Sequence, residues 1–180
     1  MALRQIRVYP DEILTKKCRA VKEMTPRLSE LVDDMLETMY DADGVGLAAP
    51  QVGILRQIVV IDVGEGPVVL VNPEIAEQDG EQKGSEGCLS VPGKAGLVSR
   101  PNHVIVKALD RDLNPIEVEG EGLFARALCH EIDHLSGVVY VSRVEGELYD
   151  MNSSDEEEDE EGDDDVSDLI DGDIEGDEDN

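Results

Sequence analysis

An abrupt change of composition near residue 150 confines any folded core of this chain of 180 residues to its first 150. Residues 151–180 carry 17 acidic side chains and no Lys or Arg, whereas residues 1–150 hold 26 acidic and 15 basic residues, a net charge of −11. A polyanion repels itself and has little apolar area to offset the entropy of ordering. We therefore predict one domain in residues 1–150 and a disordered acidic tail in residues 151–180.

The overall charge of −28 excludes some classes of partner. Phosphate backbones and anionic lipids repel such a chain, so we expect no direct nucleic-acid partner and no membrane partner. No apolar run approaches the roughly 18–20 residues of a membrane span, and the first residues lack the apolar core of a signal peptide. Three cysteines are too few for a disulfide framework. These features favour a cytoplasmic protein, which we expect to be a monomer.

Apolar periodicity predicts two helices. One covers residues 28–40, after Thr25 as N-cap and Pro26 in the first turn. The other runs from about residue 120 to residue 136, with Gly137 as a terminating residue. Strands are predicted at residues 57–63, 68–71, 103–110, 116–118 and 138–144, and residues 80–100 are interpreted as a Gly-rich stretch with turns. Two helices, many short strands and few helical crossovers indicate the α+β class.

The strongest chemical signal is the segment HEIDH at residues 130–134, in the second predicted helix. Residues four apart lie on one face of a helix, so His130 and His134 can bind one metal ion, and Glu131 can reach a water beside it. The alternative is two partly exposed histidines that happen to be four apart. Because the chain has only three histidines, this arrangement around a glutamate favours a metal site.

Two histidines leave such a site incomplete, because a catalytic metal site uses three protein ligands and one open position. The third ligand could be a carboxylate or a thiolate. Cys88, in the segment EGCLS at residues 86–90, is the best candidate, although a free cysteine is commonly a small buried hydrophobe. Cys129 competes with it, but its adjacency to His130 turns it about 100° away around the helix.

A loop of small residues, GVGLAAPQVG at positions 44–53, formally fits the pattern G-x-G-x-x-A. It follows a helix and leads into a strand, the reverse of the dinucleotide-binding context, so we exclude a nucleotide site. Small residues do let the backbone approach a ligand closely. Gln51 offers an amide donor of the kind that stabilises an oxyanion, and the alternative is a tight connection with a surface glutamine.

Three motifs stand in a fixed order: GVGLAAPQ at residues 44–51, EGCLS at residues 86–90 and HEIDHL at residues 130–135. Together they resemble the peptide deformylases, metal-dependent hydrolases that remove the formyl group from N-formylmethionyl nascent chains and release formate. The resemblance extends from residue 6 to about residue 144. It implies antiparallel or mixed short strands packed around a central metal-binding helix, with one further long N-terminal helix.

The resemblance also implies the chemistry of the site. The ligands of one divalent ion would be Cys88, His130 and His134. The ion is most often Fe²⁺ in this family, with Ni²⁺, Co²⁺ or Zn²⁺ as alternatives. An activated water attacks the formyl carbon, and the Gln51 amide and the Leu89 backbone N–H stabilise the charge on the former carbonyl oxygen. Glu131 transfers the proton from the water to the departing amine.

Specificity requires an apolar slot for the methionine side chain. Its expected walls are Val45, Gly46, Glu86, Gly87, Leu123 and Ala127. Leu123 and Ala127 lie seven and three residues before His130, on its helical face, and the alternative for both is plain core packing. Asp133 and Arg100 are expected to pair beneath the site and to orient the ligands.

The acidic tail departs from the family. Many relatives continue into a basic C-terminal helix that contacts the ribosome, whereas this chain continues into a polyanion. We therefore expect formylated nascent peptides as substrates without docking through such a helix. Two rival interpretations are a zinc peptidase that uses the same histidine motif, and a non-enzymatic body whose tail is an interaction module.

Overall fold

Two α-helices, three short 3₁₀ helices and eight strands make up the fold of residues 2–151, which are the residues that this computed structural model describes. The helices are α1 (Pro26–Asp41) and α2 (Leu123–Leu135). The strands are β1 (Gly46–Ala48), β2 (Ile58–Ile61), β3 (Val68–Asp79), β4 (Gln82–Cys88), β5 (Val91–Arg100), β6 (His103–Leu109), β7 (Pro115–Glu121) and β8 (Glu145–Asp150). Apart from Met151, the tail predicted to be disordered lies outside the described residues.

The strands form two antiparallel sheets. A five-stranded sheet has the order β1-β2-β3-β6-β7, and a three-stranded sheet has the order β4-β5-β8. Each helix covers one face of the larger sheet, and α2 also contacts β5 of the smaller one. The predicted α+β class, with short antiparallel strands around a central helix, is confirmed.

Strand β2 shows why the larger sheet is covered on both faces. All four of its residues are fully buried. Val59 and Ile61 pack on the α2 side of the sheet, whereas Ile58 and Val60 pack on the α1 side. Successive side chains of a strand point to opposite faces, so a strand between two helices is apolar throughout.

Helix α1 begins and ends where its sequence predicts. The Thr25 side chain accepts a hydrogen bond from the Leu28 N–H, and Pro26 occupies the first helical position. Its buried face, which includes Val32, Met35 and Met39, packs against the sheet. Thr25 and Pro26 therefore fix the start of the helix, and the apolar spacing fixes its orientation.

Helix α2 is slightly shorter than predicted, because residues 120 and 121 still belong to β7. Gly122 separates the two elements with a φ of 60°. At the other end Gly137 has a φ of 76°, and a side chain there would collide with the Thr15 carbonyl oxygen. Gly137 thus terminates α2 as predicted and also permits the close approach of the N-terminal segment.

Several strand predictions were incomplete or wrong. Strand β3 continues past Pro73 to Asp79, because a register shift between Val71 and Glu74 accommodates a residue without an N–H. The stretch interpreted as turns, residues 80–100, forms the hairpin of β4 and β5. The strand predicted at residues 138–144 does not form. There a 3₁₀ turn (Tyr140–Ser142) follows the end of α2, Tyr140 is buried, and pairing resumes only in β8.

Neither α1 nor α2, the two α-helices between residues 2 and 151, has the length and apolar character needed to cross a membrane.

Candidate metal centre

The two histidines of the predicted motif lie one turn apart on the buried side of α2. His130 and His134 are 7% and 1% exposed, and their Nε2 atoms lie 3.3 Å apart. Both imidazoles therefore direct a nitrogen into the same small space, as the helical spacing predicts. Burial lowers the pKa of His134 well below its ordinary value, which keeps this imidazole in the neutral form that binds cations.

Cys88, the last residue of β4, brings a sulfur to the same point. Its Sγ atom lies 3.4 Å from Nε2 of His134. The donor atoms of Cys88, His130 and His134 all lie within 4.8 Å of one another, and no other such group of donors occurs in residues 2–151. One end of a hairpin and one face of a helix thus meet at a cluster of one sulfur and two nitrogens.

The spacing of these donors fits a divalent ion. Bonds of about 2.0–2.1 Å to nitrogen and about 2.3 Å to sulfur, in tetrahedral arrangement, place neighbouring ligand atoms roughly 3.3–3.6 Å apart. The observed separations of 3.3 Å and 3.4 Å agree with this range. A thiolate and two imidazoles also suit several first-row metals. Three protein ligands leave one coordination position open for a water or a substrate oxygen.

Glu86 fixes the orientation of His130. Its Oε1 atom lies 2.5 Å from Nδ1 of His130, and the carboxylate also accepts hydrogen bonds from Arg100 and Arg126. Burial raises the pKa of Glu86, but His130 and Arg100 outweigh it and hold this pKa at about 2. The carboxylate therefore stays charged in the interior and keeps Nε2 of His130 directed at the donor cluster.

Asp133 extends this network to the surface. Arg100 donates to Asp133 at 2.7 Å and to Glu86 at 2.6 Å, and Arg143 donates to Asp133 at 2.6 Å. The predicted contact between Asp133 and Arg100 is thus present in the structure. It joins α2, which carries the two histidines, to the end of β5.

Glu131 lies beside the donor cluster and is almost entirely buried. The residue is 4% exposed, and its Oε1 atom lies 3.9 Å from Nε2 of His130. Its Oε2 atom is buried without a hydrogen-bond partner among the described residues. Burial raises the pKa of Glu131 to about 7. A carboxylate in this state can accept a proton and release it again near neutral pH.

Gln51 lies next to Cys88, and hydrogen bonds hold both the oxygen and the nitrogen of its side-chain amide. Its Oε1 accepts a hydrogen bond from the Ala48 N–H, and its Nε2 donates to Ser90 Oγ at 3.0 Å. The same Nε2 lies 3.5 Å from Cys88 Sγ. Because Gln51 is 1% exposed, the alternative of a surface glutamine is wrong. The amide is oriented before any ligand arrives.

A cleft of about 260 Å³ opens above these groups. The residues that line it include Val45, Gly46, Gly87, Leu89 and Met151, in addition to Gln51, Cys88, His130 and Glu131. A side chain at Gly46 would meet the Glu131 carboxylate at 2.5 Å, so the strand β1 presses its backbone against the candidate base. The cleft is therefore narrow at its floor.

The structure places three of the predicted slot residues away from this cleft. The Glu86 carboxylate lies in the arginine network and not in the wall. Leu123 is 57% exposed at the first position of α2, and Ala127 is buried in the core between α2 and the larger sheet. Contact of Leu123 or Ala127 with a substrate stays a prediction. Cys129 also packs in that core, away from the donor cluster, as its helical position predicts.

Sequence reasoning missed two polar residues that shape the site. Arg126 donates to Glu86 at 2.8 Å, and Ser90 accepts from Gln51. Arg126 lies four residues before His130 on α2, so helical spacing could have placed it on the same face. Ser90 has no comparable signal, because its position depends on the turn between β4 and β5.

Comparison with known proteins gives a consistent match. The family described as Polypeptide deformylase matches residues 3–148. The peptide deformylase of Agathobacter rectalis is 63% identical over 158 residues, which cover 88% of this chain and 100% of the relative. That of Lachnoclostridium phytofermentans is 62% identical over 161 residues, covering 88% and 99%. The crystal structure of a peptide deformylase from Legionella pneumophila has a TM-score of 0.78 at 48% identity and covers 80% of this chain and 87% of the other.

Proposed function

Because the chain belongs to the polypeptide deformylase family, we propose that Cys88, His130 and His134 hold the divalent ion with which it removes the N-formyl group from nascent polypeptides. The enzyme is a hydrolase that acts on N-formylmethionyl chains and releases formate. The observation that carries the ligand assignment is the convergence of one sulfur and two imidazole nitrogens within 4.8 Å. A divalent ion bound there supplies Lewis-acid polarisation of the formyl carbonyl and a water of lowered pKa.

Glu131 is proposed to carry the proton. Its unpartnered Oε2 and its pKa of about 7 suit a group that takes a proton from the attacking water and delivers it to the departing amine. The close approach of Gly46 holds the carboxylate in place from the opposite side. The same residue therefore acts first as base and then as acid without leaving its position.

Gln51 and Leu89 are proposed to stabilise the negative charge that develops on the formyl oxygen. The Gln51 side chain is oriented by Ala48 and Ser90, so its Nε2–H bonds need no reorganisation when the charge forms. Leu89 lines the cleft directly after Cys88, and its backbone N–H is proposed as the second donor to the same oxygen. A donor of this kind contributes roughly 10²–10³-fold to kcat.

The small volume of the cleft supports the proposal that the reacting group of the substrate is small. About 260 Å³ lies below the roughly 300–1,000 Å³ of pockets that enclose drug-sized ligands. Val45, Gly46 and Gly87 are proposed as walls next to the formyl group. Leu123 and Ala127 lie outside this cleft, and their contact with the methionine side chain stays a prediction. We expect formyl-Met peptides to be hydrolysed, and N-acetyl groups and internal peptide bonds to remain intact.

The native ion is proposed to be Fe²⁺, with Ni²⁺, Co²⁺ and Zn²⁺ able to occupy the same donors. We further propose a cytoplasmic monomer that reaches its substrates by diffusion. The absence of basic residues from positions 151–180 supports this, since ribosomal RNA repels a polyanion.

Formate release from a formyl-Met peptide tests the proposal. The full chain is purified without oxygen and reconstituted in parallel with Fe²⁺, Ni²⁺ and Zn²⁺. We expect metal-dependent release that is lost in Cys88→Ala and in Glu131→Gln, with the ion retained in Glu131→Gln. An acetyl-Met peptide serves as the matched substrate control. No release with any metal, although the wild-type chain binds one ion, would overturn the assignment, and cleavage of internal peptide bonds would favour the zinc-peptidase alternative.

A further inference from the structure

A basic groove lies at the N-terminal end of α1, away from the candidate metal centre. It encloses about 950 Å³, and five of the thirteen residues that line it are basic. These are Arg4, Arg19, Lys22, Arg27 and Arg56, against the two acidic residues Glu23 and Glu30. The residues that line the groove therefore carry a net charge of +3, whereas residues 1–150 as a whole carry a net charge of −11.

Four of these cations have no carboxylate partner within residues 2–151. Arg4 forms an ion pair with Asp34 at 2.9 Å, whereas Arg19, Lys22, Arg27 and Arg56 form none in that part of the chain. Most basic side chains elsewhere are paired, including those of the metal centre. Unpaired cations in so acidic a protein mark the groove as a site for an anionic partner.

Backbone geometry forces two of the cations together. Arg19 and Arg56 form a parallel bridge, in which the Arg19 N–H donates to the Leu55 carbonyl and the Gln57 N–H donates to the Arg19 carbonyl. Like charges on paired positions repel each other, and an anion bound between them removes the repulsion. The N-terminus of α1 adds positive potential, since its first turn contains no acidic residue.

We propose that residues 155–179 of the same chain bind in this groove. Residues 155–179 contain 17 acidic side chains and no Lys or Arg. The charge of this segment is therefore complementary to that of the groove along its whole length. The tail begins at Met151, which lines the cleft of the candidate metal centre together with Asp43 and Gly44. Asp43 and Gly44 lie two and three residues beyond the C-terminal end of α1.

The tail is long enough to reach the groove. The 16 residues of α1 separate the groove from the cleft by about 24 Å along the helix. An extended chain covers that distance in about eight residues, so positions from about 160 onwards can enter the groove. Twenty-nine residues follow Met151, and a linkage of that length gives two sites on one chain an effective concentration in the millimolar range. Several weak ion pairs therefore suffice for binding within one molecule.

Zero-length carbodiimide cross-linking of the full metal-loaded chain tests the proposal. Lys22 is the lysine of the groove, and Lys107, also without an ion pair in residues 2–151, lies outside it. At an ionic strength of about 0.01 M, where charges interact over about 30 Å, we expect Lys22 to be joined to acidic residues of the tail. At about 1 M the product should disappear. An equal mixture of ¹⁴N-labelled and ¹⁵N-labelled chains should yield no mixed product.

A matched pair of variants locates the binding site. Arg19→Gln/Arg56→Gln removes two unpaired charges from the groove, and Lys16→Gln/Lys17→Gln removes two charges of the adjacent segment that do not line it. We expect the Lys22 product to fall about fivefold in the first variant and to be retained in the second. Equal labelling of Lys22 and Lys107, mixed-isotope products, or equal yields in the two variants would overturn the proposal. Complete displacement by an equimolar RNA oligonucleotide would also overturn it, because the groove would then prefer nucleic acid.

Discussion

The Oε1 atom of Glu86 lies 2.5 Å from Nδ1 of His130, so the residue two positions before the candidate sulfur ligand orients a candidate nitrogen ligand. The same carboxylate compensates the charges of Arg100 and Arg126 in the interior. This contact links the hairpin of β4 and β5 to α2. The candidate metal centre is therefore held by a charged network that is itself part of the core.

Glu86→Gln should weaken both metal binding and the fold. The amide keeps the size of the side chain but leaves Arg126 without its counter-charge and Arg100 with Asp133 alone. We expect the metal affinity to fall about 10–100-fold and the free energy of unfolding to fall by about 3–5 kcal/mol. Chelator competition measures the first effect, and denaturant unfolding measures the second.

Glu119→Gln is the matched control, because the Glu119 side chain is 70% exposed on β7. It removes the same charge and should change neither quantity by more than a small amount. Wild-type metal affinity in Glu86→Gln would show that His130 is oriented without this contact.

Sequence patterns within a single helix correctly predicted features of the two α-helices. Thr25 and Pro26 located the start of α1, and the four-residue separation of His130 and His134 located the ligand face of α2. The role of Glu86 was not predictable in this way. Its partners Arg100 and Arg126 are distant in sequence, and a glutamate beside a cysteine motif in a Gly-rich segment gives no sign that it will be buried. The β4–β5 hairpin was missed for a different reason. Its glycines resemble turn residues, so the segment was interpreted as a series of turns.

Gly46→Ala should disturb the candidate base without touching the metal ligands. A methyl group at this position would lie 2.5 Å from Glu131 Oε1 and 2.9 Å from Glu131 Cγ. Glu131 is 4% exposed, so its packed neighbours limit how far its side chain can shift. We expect the free energy of unfolding to fall by about 1–3 kcal/mol and formate release to fall strongly, while the metal content stays unchanged.

A double-mutant cycle attributes this loss to one contact. In Glu131→Ala the shorter side chain leaves space for the added methyl group. Gly46→Ala should therefore cost much less stability in that background than in the wild type, which denaturant unfolding can measure. Equal costs in both backgrounds would mean that the methyl group collides with something other than Glu131.

The free energy of unfolding should decrease at low pH, because the Asp34 carboxylate binds the N-terminal segment. Its carboxylate accepts hydrogen bonds from the Ala2 N–H at 2.8 Å and from Arg4 Nε at 2.9 Å. Burial raises the pKa of Asp34, but these two donors outweigh it and the pKa is lowered. A lowered folded-state pKa stabilises the protein above the unfolded pKa of about 3.9, and this contribution is lost as the pH falls through the folded-state value.

Asp34→Asn should therefore reduce the stability difference between about pH 6 and about pH 3 relative to the wild type. Urea unfolding at both pH values, at equal metal loading, measures the difference. Asp41→Asn removes a carboxylate from the same helix without touching the N-terminal segment and is the matched control. A difference in Asp34→Asn as large as in the wild type would exclude Asp34 as a source of the acid sensitivity.

Cys88→Ala and Cys129→Ala should show which of the two cysteines is the sulfur ligand of the metal ion. Cys88 Sγ lies 3.4 Å from Nε2 of His134, whereas Cys129 is 4% exposed in the apolar core, where burial raises the pKa of its thiol. We expect Cys88→Ala to lose the bound ion on dialysis and Cys129→Ala to retain it, at a stability cost of about 1 kcal/mol for a small cavity. With Co²⁺, a thiolate-to-cobalt charge-transfer absorption should be present in Cys129→Ala and absent in Cys88→Ala. The reverse pattern would transfer the sulfur ligand to Cys129, and retention of both ion and absorption in each variant would exclude a single cysteine ligand.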